Sequence, residues 1–278
     1  MVIPPVGFAM ALISAHLVAD FGMQTPESVE WKARSPWGLV SHATIFGLVA
    51  WLFLPVWSEA LVVITLALTG LHALVDLWKT RGVWPHDRLQ PLPGLILDQC
   101  VHVSILIVAA VVAARTGEAA VWGEPWRWIT NLVGFSRPDW VPRIEVLVAT
   151  YVLAVPGGSV VVQALLEPYA DALPGESELS LGRVIGYLER LILVTLLLLG
   201  EYAAMAVIVA AKSLIRIPSI APPGSHPVAD ERALVGEERE TGHGRVERIT
   251  TEYFLIGTLG SIAVALLAGL LARLALNL

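Results

Sequence analysis

Seven apolar runs, each close to the length a helix needs to cross a bilayer, recur along the chain. At 1.5 Å per residue, about 30 Å of hydrocarbon takes about 20 residues. The runs fall at 2–21, 38–56, 60–79, 93–114, 143–166, 184–211 and 251–276, with short, polar or proline-rich links between them. They predict an all-α polytopic membrane protein with seven transmembrane helices in one bundle. The organisation reads as a four-helix part at 1–114, a connection at 115–142 and a three-helix part at 143–278. In the connection, Trp122, Trp126, Trp128 and Trp140 recur among Pro, Gly and Arg, as expected of an interfacial segment at headgroup level. Residues 212–249 carry Pro222, Pro223 and Gly224 and then a Glu, Arg, Gly and His run, and predict a mobile aqueous loop. The acidic stretch at 167–182 reads as a connection on the opposite side. The first run has no basic residue ahead of it and carries His16 and Asp20, so it reads as a retained span rather than a signal peptide.

Composition sharpens the class. Of 278 residues, 56% are apolar and 15% charged, and the mean hydropathy is +0.70, which excludes a soluble enzyme. A net charge of −6 argues against nucleic acid as a partner, because displacing phosphate counterions needs a basic surface. The single cysteine, Cys100, forms no internal disulfide and no thiolate cluster, so any metal must use His and carboxylate. With seven alternating spans, the links at 115–143 and 212–249 share one side and hold ten Lys or Arg against six in the links of the other side. That bias favours a cytoplasmic amino terminus.

The informative residues are the ionisable ones inside the spans, where each costs several kcal/mol unless paired or hydrated. The first four spans contain His16 and Asp20, His42, His72 and Asp76, and Asp98 and His102. Three of these form pairs four residues apart, a spacing that stacks both side chains on one helix face. Spans one and three end just after Asp20 and Asp76, whereas spans two and four begin just before His42 and Asp98. Because alternate helices run in opposite directions, all of these residues fall near the same membrane face. Imidazole nitrogen and carboxylate oxygen suit a divalent metal, zinc first and manganese or iron after it. His16, His42, His72 and His102 are the favoured ligands. Asp20, Asp76 and Asp98 would complete the shell, orient His, or act as general base. Helix–helix hydrogen bonding and a proton relay are the competing readings of the same residues.

These residues lie in stretches that resemble a bacterial integral-membrane family catalogued as domain of unknown function 3307. The stretches are AHLVADFGMQ at 15–24, SHA at 41–43, GLHALVDLWK at 70–79 and LDQCVH at 97–102, with GYLERLI, AAKSLIR and EYFLIGTLGS similar to its longer members. The resemblance implies a protein of the bacterial cytoplasmic (inner) membrane and no particular reaction. A looser similarity links the chain to inner-membrane metal-dependent hydrolases, which also place His and Asp four apart in a span. Their His-Arg-Gly and Thr-His-Ser signature is lacking here.

Two further features bear on function. Pro156, Gly157 and Gly158 in span five permit a kink or an unwound turn. Lys32, Lys79 and Arg81, at the mouth of the His and Asp face, are candidates for holding an anionic substrate group, and Glu189 and Arg190, near the start of span six on the same membrane side, are further substrate-binding candidates, with an interhelical ion pair as the competing reading. Lys212 is expected at the face opposite Glu189. The leading expectation is a membrane-embedded metal-dependent hydrolase of a lipid or lipid-linked ester, amide or phosphoester. A cation or proton-coupled transporter and a scaffold with a structural metal are the alternatives.

Overall fold

The structure is a computed structural model that describes residues 5–53, 59–81, 91–115, 140–172, 176–216 and 237–278. The Trp-rich connection at 116–139, the loop at 217–236, and His86 and His226 lie outside the described residues. Among the described residues every regular element is helical, so the chain is an all-α polytopic membrane protein. Helix α1 (Pro5–Leu17) runs into a π-helical turn (Val18–Gly22) and is followed by α2 (Pro26–Arg34), α3 (Pro36–Phe53), α4 (Glu59–Thr80) and α5 (Pro91–Arg115). Next come α6 (Trp140–Val152), a second π-helical turn (Leu153–Gly157), α7 (Gly158–Leu166) and a 3₁₀ turn (Glu167–Ala172). The chain ends with α8 (Glu176–Leu199), α9 (Tyr202–Arg216) and α10 (Glu237–Leu276).

Among the described residues, five segments are long and apolar enough to cross a membrane: Pro36–Phe53, Leu61–Thr80, Pro91–Ala113, Arg143–Tyr169 and Glu252–Leu276. Phe8–Gly22 and Tyr202–Lys212 are apolar but shorter. Large apolar side chains such as Leu48, Val63, Leu66 and Leu74 point outward, as lipid-facing positions do.

Two compact units make up the fold, Met1–Gly157 with Leu271–Leu278, and Gly158–Leu270. In the first, α1 packs on α3, α5 and α6, and α3 and α5 flank α4. Its core joins Leu12, Ala15 and Ala19 to Phe46, Ala50, Leu68, Leu106 and Ala110. The alanines let the helices approach closely, which matters more than apolar area where the surroundings are themselves apolar. The expected break in span five is the second π-helical turn, which contains Pro156. Proline has no N–H to give to the helical ladder, and the wider turn absorbs the loss.

In the second unit the structure corrects three expectations. Residues 184–211 are not one span. Gly200 has φ 79°, and the amides of Gly200 and Glu201 close on the carbonyls of Leu197 and Leu196, ending α8 in a left-handed cap that glycine adopts without steric cost. The chain then turns back as α9, so Lys212 pairs with the Glu189 carboxylate instead of lying at the opposite face. It follows that the amino-terminal end of α8 and the carboxy-terminal end of α9 lie at the same end of this unit. Finally, the expected loop at 212–249 is helical at both ends, to Arg216 and again from Glu237. Glu and Arg are strong helix formers and extend α10 as a polar prolongation of its apolar half.

Candidate functional site

Each of the seven intramembrane His and Asp residues belongs to the first unit, and the fold brings them into one cluster. His16, His42, His72, Asp76, Asp98 and His102 are buried, and Asp20 nearly so. The spacing of four does what helical geometry requires. His16 Nδ1 lies 3.7 Å from Asp20 Oδ1, His72 Nε2 lies 3.6 Å from Asp76 Oδ2, and His102 Nδ1 lies 3.6 Å from Asp98 Oδ1. His42, which has no such partner, enters from α3 and meets His72 Nε2 with its own Nε2 at 3.1 Å.

Around that nitrogen pair the carboxylates close two triangles. Asp20 Oδ1 is 3.3 Å from His42 Nε2 and 3.5 Å from His72 Nε2. Asp76 Oδ2 is 3.4 and 3.6 Å from the same two nitrogens. Ligands about 2.1 Å from a tetrahedral zinc stand about 3.4 Å from one another. Donor atoms of His16, Asp20 and His72, of His42, His72 and Asp76, and of Asp76, Asp98 and His102 form three groups whose members all lie within 4.8 Å. Each group could hold a metal ion by distance and donor chemistry.

Two lysines partly balance the carboxylates. Lys32 donates to both oxygens of Asp76, at 3.3 and 3.2 Å, and Lys79 donates to Asp98 Oδ2 at 2.6 Å. Three carboxylates face two ammonium groups, so the cluster carries one net negative charge with its imidazoles neutral. Lys32 and Lys79 thus act inside the cluster and not only at its mouth. Lys79 is 29% exposed and marks where the cluster opens. Arg81, two residues further on, is exposed.

Lys32 reaches Asp76 because α2 exists, and sequence reading took that stretch for a link. Its start has a recognisable signal: Thr25 accepts from the Ser28 amide at 3.2 Å with Pro26 at the first helical position. Glu27, in the first turn, is held below the usual carboxylate range by its own backbone amide and by the Thr25 hydroxyl. Helix α2 crosses α3 at Gly38, whose missing side chain leaves room for the Trp31 carbonyl.

Two glutamines also belong to the site and were not singled out. Gln99 Oε1 accepts from His16 Nε2 at 3.2 Å, and its Nε2 donates to Asp20 Oδ2 and Asp98 Oδ2, each at 3.4 Å. Gln24 sits 3.5 Å from His42 Nδ1, and with its amide turned it donates to the Asp20 carbonyl at 3.1 Å and accepts from Lys32 at 2.9 Å. The signal for both was the rarity of an amide beside apolar spans. On the inward side a small cavity is lined by His16, His72 and His102 above Phe46, Leu68, Ile105 and Leu106. Phe46 stacks on the His72 ring at 4.5 Å and fixes its plane.

Glu189 and Arg190 belong to the second unit. Glu189 pairs with Lys212. Arg190 is buried, donates to Ser261 Oγ at 2.9 Å and lies 5.6 Å from the centre of the Tyr187 ring. An added Cβ on Gly158 would stand 2.8 Å from Arg190 Cδ, so that glycine makes its seat. His243 falls on α10, in the part whose side chains are not described.

Residues 8–129, which include all seven His and Asp of the cluster, match the protein family described as Protein of unknown function (DUF3307). No curated protein and no solved structure matches the chain.

Proposed function

We propose that this chain is a metal-dependent hydrolase of the bacterial cytoplasmic membrane, acting on an anionic lipid or lipid-linked ester, amide or phosphoester. The observation that supports it most is the pair of triangles on His42 Nε2 and His72 Nε2, whose 3.1–3.6 Å edges match ligand spacing around zinc. In this reading His42 and His72 hold the ion with Asp20 and Asp76, and manganese or iron would use the same donors. When bound, such an ion polarises a carbonyl or phosphoryl oxygen and acidifies water.

Charge and access favour an anionic substrate. A divalent ion reverses the single negative charge of the cluster to a single positive one, which attracts a phosphate or carboxylate. Lys79 and Arg81 stand at the open side, where an incoming anion meets them first. The inward side favours an enzyme over a transporter. Phe46, Leu68, Ile105 and Leu106 close the cluster with apolar groups, and a cation passing them would lose its coordination to hydrocarbon.

The test uses the full chain purified in detergent and returned to nanodiscs. Hydrolysis of a panel of phospholipid and polyprenyl-phosphate esters should stop with chelator, return with Zn²⁺, and be absent in H72A and D76N. Turnover that survives chelation, or stoichiometric metal with no hydrolysis of any ester, amide or phosphoester class, overturns the reading. Time-dependent loading of metal into sealed vesicles would move the assignment to transport.

A further inference from the structure

Of the three donor groups in the cluster, only some can be filled together. His16, Asp20 and His72 compete with His42, His72 and Asp76 for His72, whose Nε2 offers one lone pair and serves one ion. Asp76 is different. A carboxylate has two oxygens and can bridge, so His42, His72 and Asp76 and the third group, Asp76, Asp98 and His102, are compatible. Whichever of the first two groups takes an ion, the third keeps its own donors.

That third group also carries unspent coordination capacity. His102 Nδ1 lies 3.0 Å from the Asp98 backbone oxygen, which fixes the proton on Nδ1 and leaves the lone pair on Nε2. His102 Nε2 is buried and has no hydrogen-bond partner among the described residues, and the same holds for Asp98 Oδ1. His102 is 3% exposed and Asp98 2%. A buried lone pair and a buried carboxylate oxygen left unmatched each cost free energy, and a cation is a partner that suits either. His16 stacks on the His102 ring at 4.9 Å, and its own Nδ1 is likewise buried without a hydrogen-bond partner among the described residues.

We infer that the cluster binds two divalent cations, the second held by Asp98 and His102 and joined to the first through Asp76. The inference rests on the metal reading above and deepens it. It places this chain among two-metal sites, whose ions stand about 3.5–4 Å apart and clamp both the attacking and the leaving oxygen of a displacement. Metal pairs of this kind serve phosphoester and amide hydrolysis alike, so both classes belong in the substrate panel.

Metal stoichiometry separates the two claims. The full chain, stripped with EDTA in detergent and reloaded with Zn²⁺, should hold two ions by plasma mass spectrometry, and H102A and D98N should each hold one. One ion in the wild type overturns the second site and leaves the first standing; none overturns both. Two ions retained in both variants also overturn the assignment of the second site to Asp98 and His102. Loading with Mn²⁺ needs no variant: the wild type should give the exchange-coupled spectrum of a bridged pair by electron paramagnetic resonance, and the six-line spectrum of isolated ions overturns the bridge.

Discussion

His42 and His72, thirty residues apart on packed helices, face each other Nε2 to Nε2 at 3.1 Å. Two neutral imidazoles at that distance share one proton, whereas both nitrogens can donate to a metal without any proton between them. H42A and H72A should therefore each lower Zn²⁺ affinity by more than the 10–100-fold typical of an outer contact. Competition against a chromophoric chelator measures this, and wild-type affinity in both variants would remove the pair from the site.

Lys32 and the metal are alternative partners for Asp76. Replacing Lys32 with Met leaves the stripped protein with a buried carboxylate unpaired, at a cost of about 3–5 kcal/mol, and changes the cluster charge from −1 to −2. Thermal unfolding should show K32M strongly destabilised without metal, much less so with Zn²⁺, and the metal bound more tightly. Equal destabilisation in both states would mean that Asp76 does not face the ion.

A single methyl group should reproduce that pattern from a distance. An added Cβ at Gly38 would collide with the Trp31 carbonyl and stand 2.7 Å from the Lys32 amide, so G38A must push α2 away from α3 and withdraw Lys32. Overpacking of this kind costs about 1–3 kcal/mol. At Gly94 a Cβ meets nothing within 4 Å, so G94A is the control and should unfold like the wild type. The expected result is a loss in G38A that Zn²⁺ partly restores.

Gln99 touches His16, Asp20 and Asp98 at once. Q99A should weaken metal binding by about 10–100-fold while leaving helix content unchanged by circular dichroism. An effect on stability alone, with affinity intact, would make Gln99 a packing residue.

The turn at Gly200 is tested by the pair it creates. E189K and K212E should each lower the unfolding temperature, and the double exchange should recover most of the loss, as coupled neighbours do. Additive losses would place Lys212 away from Glu189, as a continuous span at 184–211 would have it.

How far the sequence could be read follows from what each feature leaves in it. The cluster was legible because charge in hydrocarbon is costly and because a spacing of four fixes a face: His16 with Asp20, His72 with Asp76 and Asp98 with His102 needed no tertiary information. Their meeting with His42 followed from depth alone. Lys32 was assigned to the mouth because α2, with no buried residue of its own, has no apolar period to announce it. The hairpin at Gly200 escaped for the opposite reason. Glycine is common in membrane helices, and its apolar neighbours on both sides give the hydropathy of one span. Only the positive φ distinguishes the turn, and that is a property of the backbone. Gln24 and Gln99 stood in quoted motifs, yet an amide carries no charge and so made no demand for a partner.

One contact reaches outside the stretch that the family match covers. The π-helical turn that carries Asp20 rests against the π-helical turn of residues 153–157: a Cβ on Gly22 would stand 3.4 Å from Val152, and one on Gly157 would stand 3.3 Å from the Phe21 ring. The carboxylate that caps one histidine triangle is thus braced by a helix that begins eleven residues after the matched segment ends. A minimal module cut at residue 129 would keep every candidate ligand and lose the buttress that aims one of them, so a graft or a shortened chain needs residues 140–157 to carry the site intact.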